Sequence, residues 1–392
     1  MARSIVLLCA FLLASCAVTP DAPRDTPHHA RFFDDARFAP ASERIGAAQV
    51  FAMSDDMRRY VEKEIVPRTK LRGRQLALVD ALYKKGDLKL EYDSAMTRNA
   101  TEAFAARSGN CLSLVIMTAA FAKALDLPLE YQKVFVDDAW TRAGNLYLAI
   151  GHVNLTLGKR RTEELAYASR VGKKPIESEG LTIDFLPPDD MRSVRTRAIT
   201  EDIVVAMYMN NRAVEALARG RIDDAYWFAR DAVAQSPAFL VAYNTLAAVY
   251  HRHGDLAQAE AVLRFVVDRE PANTQAMANL VRVLADAGKT EDSQRLAAAL
   301  AKLEPEPPFA FFNRGMAAMR AGDLQAAKAS FEREIARSPD YHEFHFWLAV
   351  AHVGLGENAQ ARKHLAIAVR NSTNRSDHDL YAAKLDRLNG VH

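Results

Sequence analysis

The chain of 392 residues has few cysteines, few glycines and prolines, and no long apolar run. With 3 cysteines there is little material for a disulfide framework. The 17 glycines and 15 prolines argue against an all-β protein built on many tight turns. No stretch of about 18 apolar residues occurs, which excludes a polytopic membrane protein. An excess of one charge is also missing, because 51 Lys and Arg face 49 Asp and Glu, so nothing indicates nucleic-acid binding.

The first residues carry the parts of an export signal. Arg3 precedes a short apolar run, Ile5 to Ala14, which is too short to span a bilayer as a stable helix. An ordinary cleaved signal or a buried N-terminal helix would also fit this pattern. The sequence Leu-Ala-Ser-Cys ending at Cys16, however, resembles the lipobox of bacterial lipoproteins. That resemblance implies removal of residues 1–15, acylation of Cys16 and, with Ala17 next, a lipid anchor in the outer membrane facing the periplasm.

Two more regions precede the helical repeats. Residues 16–45 are rich in Pro, Asp and Arg without a lasting period, and predict a flexible tether. Residues 46–205 change from helical periodicity to alternation and predict an α+β domain. The predicted helices are Ser54–Glu64, Leu71–Lys85 and Cys111–Leu125, and the predicted strands are Tyr131–Val136, Leu146–Leu157 and Leu181–Phe185.

From residue 206 onwards the sequence repeats itself with a period of 34. The period is marked by Pro237, Pro271, Pro305 and Pro339, by Gly220, Gly254, Gly288, Gly322 and Gly356, and by Ala225, Ala259, Ala327 and Ala361 with Ser293 in the missing place. Small residues also recur where helices would cross closely: Ala213, Ala247, Gly315 and Ala349. The pattern resembles the tetratricopeptide repeat (TPR) family, with five repeats at 206–239, 240–273, 274–307, 308–341 and 342–375 and a capping helix in 376–392. The chain as a whole is predicted to be mostly helical: an α+β domain followed by an all-α solenoid.

One cysteine would remain in the folded body. Cys111 follows Asn110, a good N-cap, at the start of a very apolar predicted helix. The N–H groups and dipole of a helix start favour a thiolate and a developing oxyanion. The apolar helix equally favours a buried structural cysteine. The local sequence leaves both interpretations open.

A nucleophilic cysteine needs a base and a group that orients the base. His152 lies in a strand-like segment that fixes the direction of its side chain. Asp184 sits between apolar neighbours, where a carboxylate needs a partner such as an imidazole N–H. Each residue also has a simpler interpretation. His152 could be a histidine with its hydrogen bonds satisfied within the sheet, and Asp184 could be a solvated aspartate at the end of a strand.

A resemblance bears on this choice. The sequence Arg-Ser-Gly-Asn-Cys-Leu-Ser over 107–113, with Thr-Glu-Ala-Phe at 101–104 and Gly-His-Val at 151–153, is similar to the transglutaminase-like, papain-related module found before tetratricopeptide repeats in some exported bacterial proteins. The resemblance implies Cys111 as nucleophile, His152 as general base and Asp184 as the group that orients it. The insertion 158–180 departs from the pattern, and relatives of this fold include members that have lost catalysis.

Two functions are compatible with these features of the sequence. The first is a cysteine-dependent hydrolase or acyltransferase acting on an amide or ester, and the second is a non-catalytic scaffold that binds a protein or peptide in the repeat groove. The expected groove residues are Asn210, Asn244, His251, Arg252, Arg282 and Phe312. No cofactor is expected, since no phosphate-binding loop occurs. No metal is expected either, because the histidine pairs of the repeats lack a convincing spacing.

Overall fold

A computed structural model describes residues 29–83, 88, 90–94, 96–135, 140–143, 146–149, 152–158, 180–185, 195–372 and 375–390. The predicted signal, Cys16 and the first part of the predicted tether lie outside the described residues. Within the described ranges, no helix combines the length and the apolar composition needed to cross a membrane.

The α+β domain that was predicted for residues 46–205 is called the N-terminal module. Helices make up most of its first part. They are α1 (Ala47–Val50), α2 (Asp55–Tyr60), α3 (Val66–Tyr83), α4 (Ala100–Ala106) and α5 (Cys111–Ala124). A π-helical turn, Val61–Ile65, joins α2 to α3. The two predicted helices around it are therefore nearly continuous, and the separation falls instead at Gly73, whose φ of 77° kinks α3.

In the described part of the chain, the strands form a four-stranded antiparallel sheet and two smaller pairs. The strands are β1 (Glu91–Tyr92), β2 (Ser108–Gly109), β3 (Leu129–Phe135), β4 (Trp140–Ala143), β5 (Leu146–Ala149), β6 (His152–Leu157), β7 (Leu181–Ile183) and β8 (Arg195–Ile199). The main sheet has the order β7-β6-β3-β8, β1 pairs with β2, and β4 pairs with β5. The predicted single strand 146–157 was wrong, because its first half pairs with β4 while its second half pairs with β3 and β7.

The C-terminal region consists of antiparallel helix pairs. The helices are α6 (Glu201–Ala218), α7 (Ile222–Gln235), α8 (Leu240–His253), α9 (Leu256–Arg269), α10 (Thr274–Asp286), α11 (Thr290–Leu303), α12 (Ala310–Ala321), α13 (Leu324–Arg337), α14 (His342–Gly354), α15 (Asn358–Asn371) and α16 (Arg375–Asn389). Helices α6 to α15 are five pairs that follow the 34-residue period, and α16 packs on α15. The first pair begins at Glu201, earlier than the predicted boundary at 206.

Small residues lie where the helices of the repeats cross. The four marker alanines, at 225, 259, 327 and 361, are all fully buried. At Gly315 an added Cβ would lie 2.5 Å from the ring of Phe331, which is closer than any real contact. The expectation that small side chains mark the close crossings is therefore confirmed.

The N-terminal module packs on the first repeat helix. Arg212 of α6, only 5% exposed, donates at 2.7 Å to Glu43, which lies just before the module. Lys123 forms an ion pair with Glu201, and the backbone N–H of Thr97 donates to a carboxylate oxygen further along α6. The buried side chains of the module and of repeats 1 to 3 form one continuous hydrophobic core.

Residues 29–45 are not a free tether, and that part of the prediction was wrong. They form two short 3₁₀ turns, Ala30–Phe32 and Asp35–Arg37, against repeats 1 and 2. Phe32 and Phe38 are 4% and 6% exposed and belong to the main core. Local composition suggested disorder, but the aromatic side chains find partners about 200 residues further along the chain.

The core is interrupted between repeats 3 and 4. Repeats 4 and 5 hold two hydrophobic clusters of their own, separate from the main core. Three prolines within 305–308 precede α12, and Phe309 adopts a left-handed φ of 62°. Prolines cannot continue a helix and restrict the residue before them, which explains the break. Repeats 4 and 5 with α16 are therefore called the C-terminal unit.

Candidate thiol site and repeat surface

The sequence around Cys111 builds a capped helix start, as predicted. The Asn110 side chain accepts from the Ser113 backbone N–H at 2.9 Å, and its Nδ2 donates to Thr97 at 2.8 Å. Gly109 is required here because an added Cβ would lie 2.6 Å from the Ser113 Cβ. Cys111 is thus fixed at the first turn of α5, with its side chain 6% exposed.

His152 and Asp184 lie together, His152 at the start of β6 and Asp184 just after the neighbouring strand β7. The His152 Nε2 is 2.7 Å from the Asp184 Oδ1, and the histidine is 2% exposed. The other carboxylate oxygen accepts from Asn154 Nδ2 at 2.9 Å. Asp184 was expected in mid-strand, but it follows Ile183, the last residue of β7.

Cys111 completes a chain of contacts through the same imidazole. Because Nε2 is directed at Asp184, Nδ1 is the imidazole nitrogen that remains available to the thiol. Burial alone lowers the pKa of His152, but hydrogen bonds to Asp184 and Cys111, together with their charges, raise this pKa to about 9. The arrangement therefore favours a protonated imidazole between two groups that can carry negative charge.

Three side chains at this site were not predicted. Tyr92 on β1 lies close to Cys111, and burial followed by the charge of the nearby thiol raises the pKa of Tyr92. Tyr83 donates to the backbone oxygen of Asp184 at 2.9 Å, and Asn154 contacts the carboxylate of the same residue. Tyr92 is brought near Cys111 by the short pairing of β1 with β2, which has no periodic signal in the sequence.

The predicted groove residues divide into two groups. His251 is 2.6 Å from Asp286 through its Nε2, which links α8 to α10. Arg252 and Arg282 are exposed on the same two helices. These residues form the surface that is called the α8–α10 face below. In the part of the chain that the structure describes, no cluster of three or more His, Cys, Asp or Glu could hold a metal ion.

The other predicted groove residues are buried, so the prediction that they line an open surface was wrong. Asn244 is 7% exposed and accepts from Asn279 at 2.9 Å, which holds α8 to α10. Asn210 is equally buried, and its Oδ1 has no hydrogen-bond partner among the described residues. Phe312 is fully buried because its ring packs between Phe331 and Phe344 in the core of repeats 4 and 5.

Comparisons with known proteins agree on the C-terminal region. The tetratricopeptide repeat family matches residues 251–310 and 312–376. A TPR repeat-containing protein of Pseudomonas aeruginosa, PA4667, is 30% identical over 162 residues, which are 41% of this chain and 26% of that protein. The chain thus matches about a quarter of the length of that relative.

Two solved structures are each similar to a little under half of the chain. A thermophilic TPR protein of Thermus thermophilus is 21% identical and covers 46% of this chain and 98% of its own, with a TM-score of 0.31. The MamA protein of Desulfovibrio magneticus RS-1 is 16% identical and covers 46% and 95%, with a TM-score of 0.25. The family matches and the helix pairs together establish that the C-terminal region of this chain is made of tetratricopeptide repeats.

Proposed function

We propose that this protein is an adaptor that binds partner proteins through its repeats. The observation that carries the proposal is the α8–α10 face, where Arg252 and Arg282 are exposed on the two helices that the His251–Asp286 pair links. Arginine is enriched among residues that dominate protein interfaces, and repeat arrays generally use one continuous face for binding. The partner is a protein that meets two arginines on this face.

A photo-crosslinking amino acid in place of Arg282 tests this function. We expect discrete adducts from cells that produce the full chain. The partner found in this way is then captured with the protein that carries no crosslinker. The charge reversals R252E and R282E together should abolish this capture. R295E, on the other helix of the same repeat and 77% exposed, is the matched control and should leave recovery unchanged. Equal recovery with both variants would contradict the proposal.

A second candidate function is a cysteine-dependent acyl transfer in the N-terminal module. It is supported by the single imidazole that contacts both Cys111 and Asp184. In this chemistry the thiolate attacks a carbonyl carbon and forms a C–S bond, while the carbonyl oxygen becomes an oxyanion near the Cys111 N–H. His152 then gives its proton to the leaving amine or alcohol as that bond breaks, and water or an amine releases the thioester.

An enzyme, unlike a structural relic, must let a substrate reach the Cys111 thiol. Cys111 is buried, and Tyr92 lies close to it. Catalysis therefore requires the side chains that cover the thiol to admit a substrate carbonyl. A transglutaminase-like activity belongs to this second candidate, and a lipid on Cys16 would place either function at a membrane surface.

Alkylation of Cys111 by iodoacetamide at pH 6 tests the second candidate. We expect appreciable modification of the folded protein, slower modification in H152A, and an intermediate rate in D184N, which disorients the base without removing it. Y92F keeps the ring but removes the hydroxyl and should not slow the reaction. A thiol that reacts only after unfolding in all four proteins would leave Cys111 as a core residue.

A further inference from the structure

The strongest unexplained feature is the docking of residues 29–45 on repeats 1 and 2. Two aromatic side chains anchor this segment. Phe38 stacks on Tyr226 with ring centroids 3.8 Å apart and an interplanar angle of 4°. Phe32 packs edge-on against Phe265 at 4.8 Å and against Tyr243 at 5.9 Å. Aromatic pairs of this kind are favourable beyond the area that they bury.

Tyrosine hydroxyls hold the stretch between the two anchors. Tyr226 donates to Asp35 Oδ1 at 2.6 Å, and Arg230 Nε donates to the same oxygen at 2.9 Å. Tyr250 donates to the backbone oxygen of Phe32 at 2.7 Å. Both hydroxyls accept from the backbone N–H of Asp34, at 2.9 and 3.1 Å. The contacts combine one acidic side chain with main-chain groups.

The following stretch is held mainly by its backbone. The indole N–H of Trp227 donates to the Ala39 oxygen at 2.8 Å, and Asp223 accepts from the Ala39 N–H at 2.9 Å. Asp224 accepts from the backbone N–H of Ser42 at 2.7 Å. Side chains that bind the N–H and C=O groups of an extended chain recognise a peptide rather than one fixed sequence.

We propose that the face of repeats 1 and 2 covered by residues 29–45 is a peptide-binding surface, and that it accepts a segment of a partner protein with the same chemistry. That chemistry is two aromatic side chains six residues apart with an aspartate midway, as in Phe32, Asp35 and Phe38. The proposal rests on the proposed adaptor function and names a second surface for it, distinct from the α8–α10 face.

The segment in this chain is then an internal competitor. Because it is covalently attached, its effective concentration at the surface is in the millimolar range or above. A partner binds only to the fraction of molecules in which the surface is free, so its apparent affinity is reduced by that fraction. Weakening the two aromatic anchors should therefore raise the affinity for a peptide added in solution.

A fluorescein-labelled peptide of residues 29–45 provides the probe, with anisotropy as the readout on the full chain. We expect the double variant F32A/F38A to bind the peptide at least tenfold more tightly than the wild type. F311A, a matched change in repeat 4 at a side chain that is 2% exposed, should bind like the wild type. A peptide carrying Asp35→Asn and Phe38→Ala should not bind to any of the three proteins.

Three results would overturn the proposal. One is a folded double variant, checked by circular dichroism, that binds the peptide no better than the wild type. Another is a wild-type dimer that disappears in F32A/F38A, since the occupant would then be a second copy of this chain. If the double variant does not fold, D35N replaces it, because this change removes the ion pair with Arg230. An unchanged affinity of D35N for the peptide is the third result that would overturn the proposal. Crosslinking from position 282 reports separately on the adaptor function.

Discussion

The last repeat contains a pair of histidines that should make its stability depend on pH. The Nδ1 atoms of His345 and His364 lie 2.9 Å apart, and the His345 Nε2 is 2.7 Å from the backbone oxygen of Pro339. A carbonyl oxygen can only accept, so His345 carries its proton on Nε2, and its Nδ1 accepts from the Nδ1–H of His364. A second proton on His345 would go to Nδ1, directly opposite that N–H.

The direction and size of the effect follow from the pKa shifts. Burial, then the neighbouring His345 and His352, lowers the pKa of His364 from 6.5 to about 4, and burial lowers that of His345. Above pH 6.5 these shifts do not change the free energy of unfolding, because both histidines are neutral in the folded and in the unfolded protein. Below it the unfolded chain takes up protons that the folded chain excludes, so the free energy of unfolding falls between pH 6.5 and 4. For His364 alone this loss is about 2 kcal/mol at pH 5.

Hydrogen exchange followed by mass spectrometry measures this loss locally. Because repeats 4 and 5 have their own hydrophobic clusters, α14 and α15 should lose about 30-fold in protection factor between pH 7 and pH 5. Helices α8 and α9 should not. H364Q should remove most of the change, and H378Q, at a histidine that is 52% exposed, is the control. Equal protection at both pH values, or the same loss in H364Q, would refute the reasoning.

Three further predictions concern the fold and the N-terminus. A259D should lower the free energy of unfolding by more than about 3 kcal/mol in urea titrations, because the residue is fully buried at a helix crossing; unchanged stability would mean that the repeat register is wrong. G315A should cost about 1 to 3 kcal/mol in the same assay, since its Cβ would overlap the ring of Phe331, and a neutral result would contradict the tight crossing. C16S should release the protein from membranes in cell fractionation, whereas a mature N-terminus other than Cys16 would contradict lipidation.

The features that the sequence predicted well are those with local or periodic causes. The 34-residue period repeats small residues at fixed positions of the helices. Ala259 and Gly315, from two of these positions, both lie at buried crossings. The cap formed by Asn110 depends only on residues within one turn. His152 and Asp184 lie within hydrogen-bond distance, as the resemblance implied, although Asp184 follows β7 instead of lying within a strand.

Contacts between distant residues were the ones that sequence reasoning missed. Tyr226 stacks on a ring 188 positions earlier, at Phe38, and no local pattern indicates that pairing. Phe312 was expected in the groove, but it is buried in the core of repeats 4 and 5. The proline-rich break before α12 gives the C-terminal unit its own core, and a large apolar ring gains more from burial there than an amide would.

The predicted boundary at 205/206 falls inside one helix, and the structure explains why no boundary exists there. Helix α6 starts the repeat array, yet Glu215 on it accepts from the Thr97 backbone N–H at 2.6 Å. Thr97 accepts in turn from Asn110, the cap of the helix that begins with Cys111. Glu215 is mostly buried, and burial raises its pKa, so this contact is held in the interior of the protein. The position of the thiol is therefore tied by hydrogen bonds to the first repeat, and the N-terminal module and repeat 1 are one packing unit.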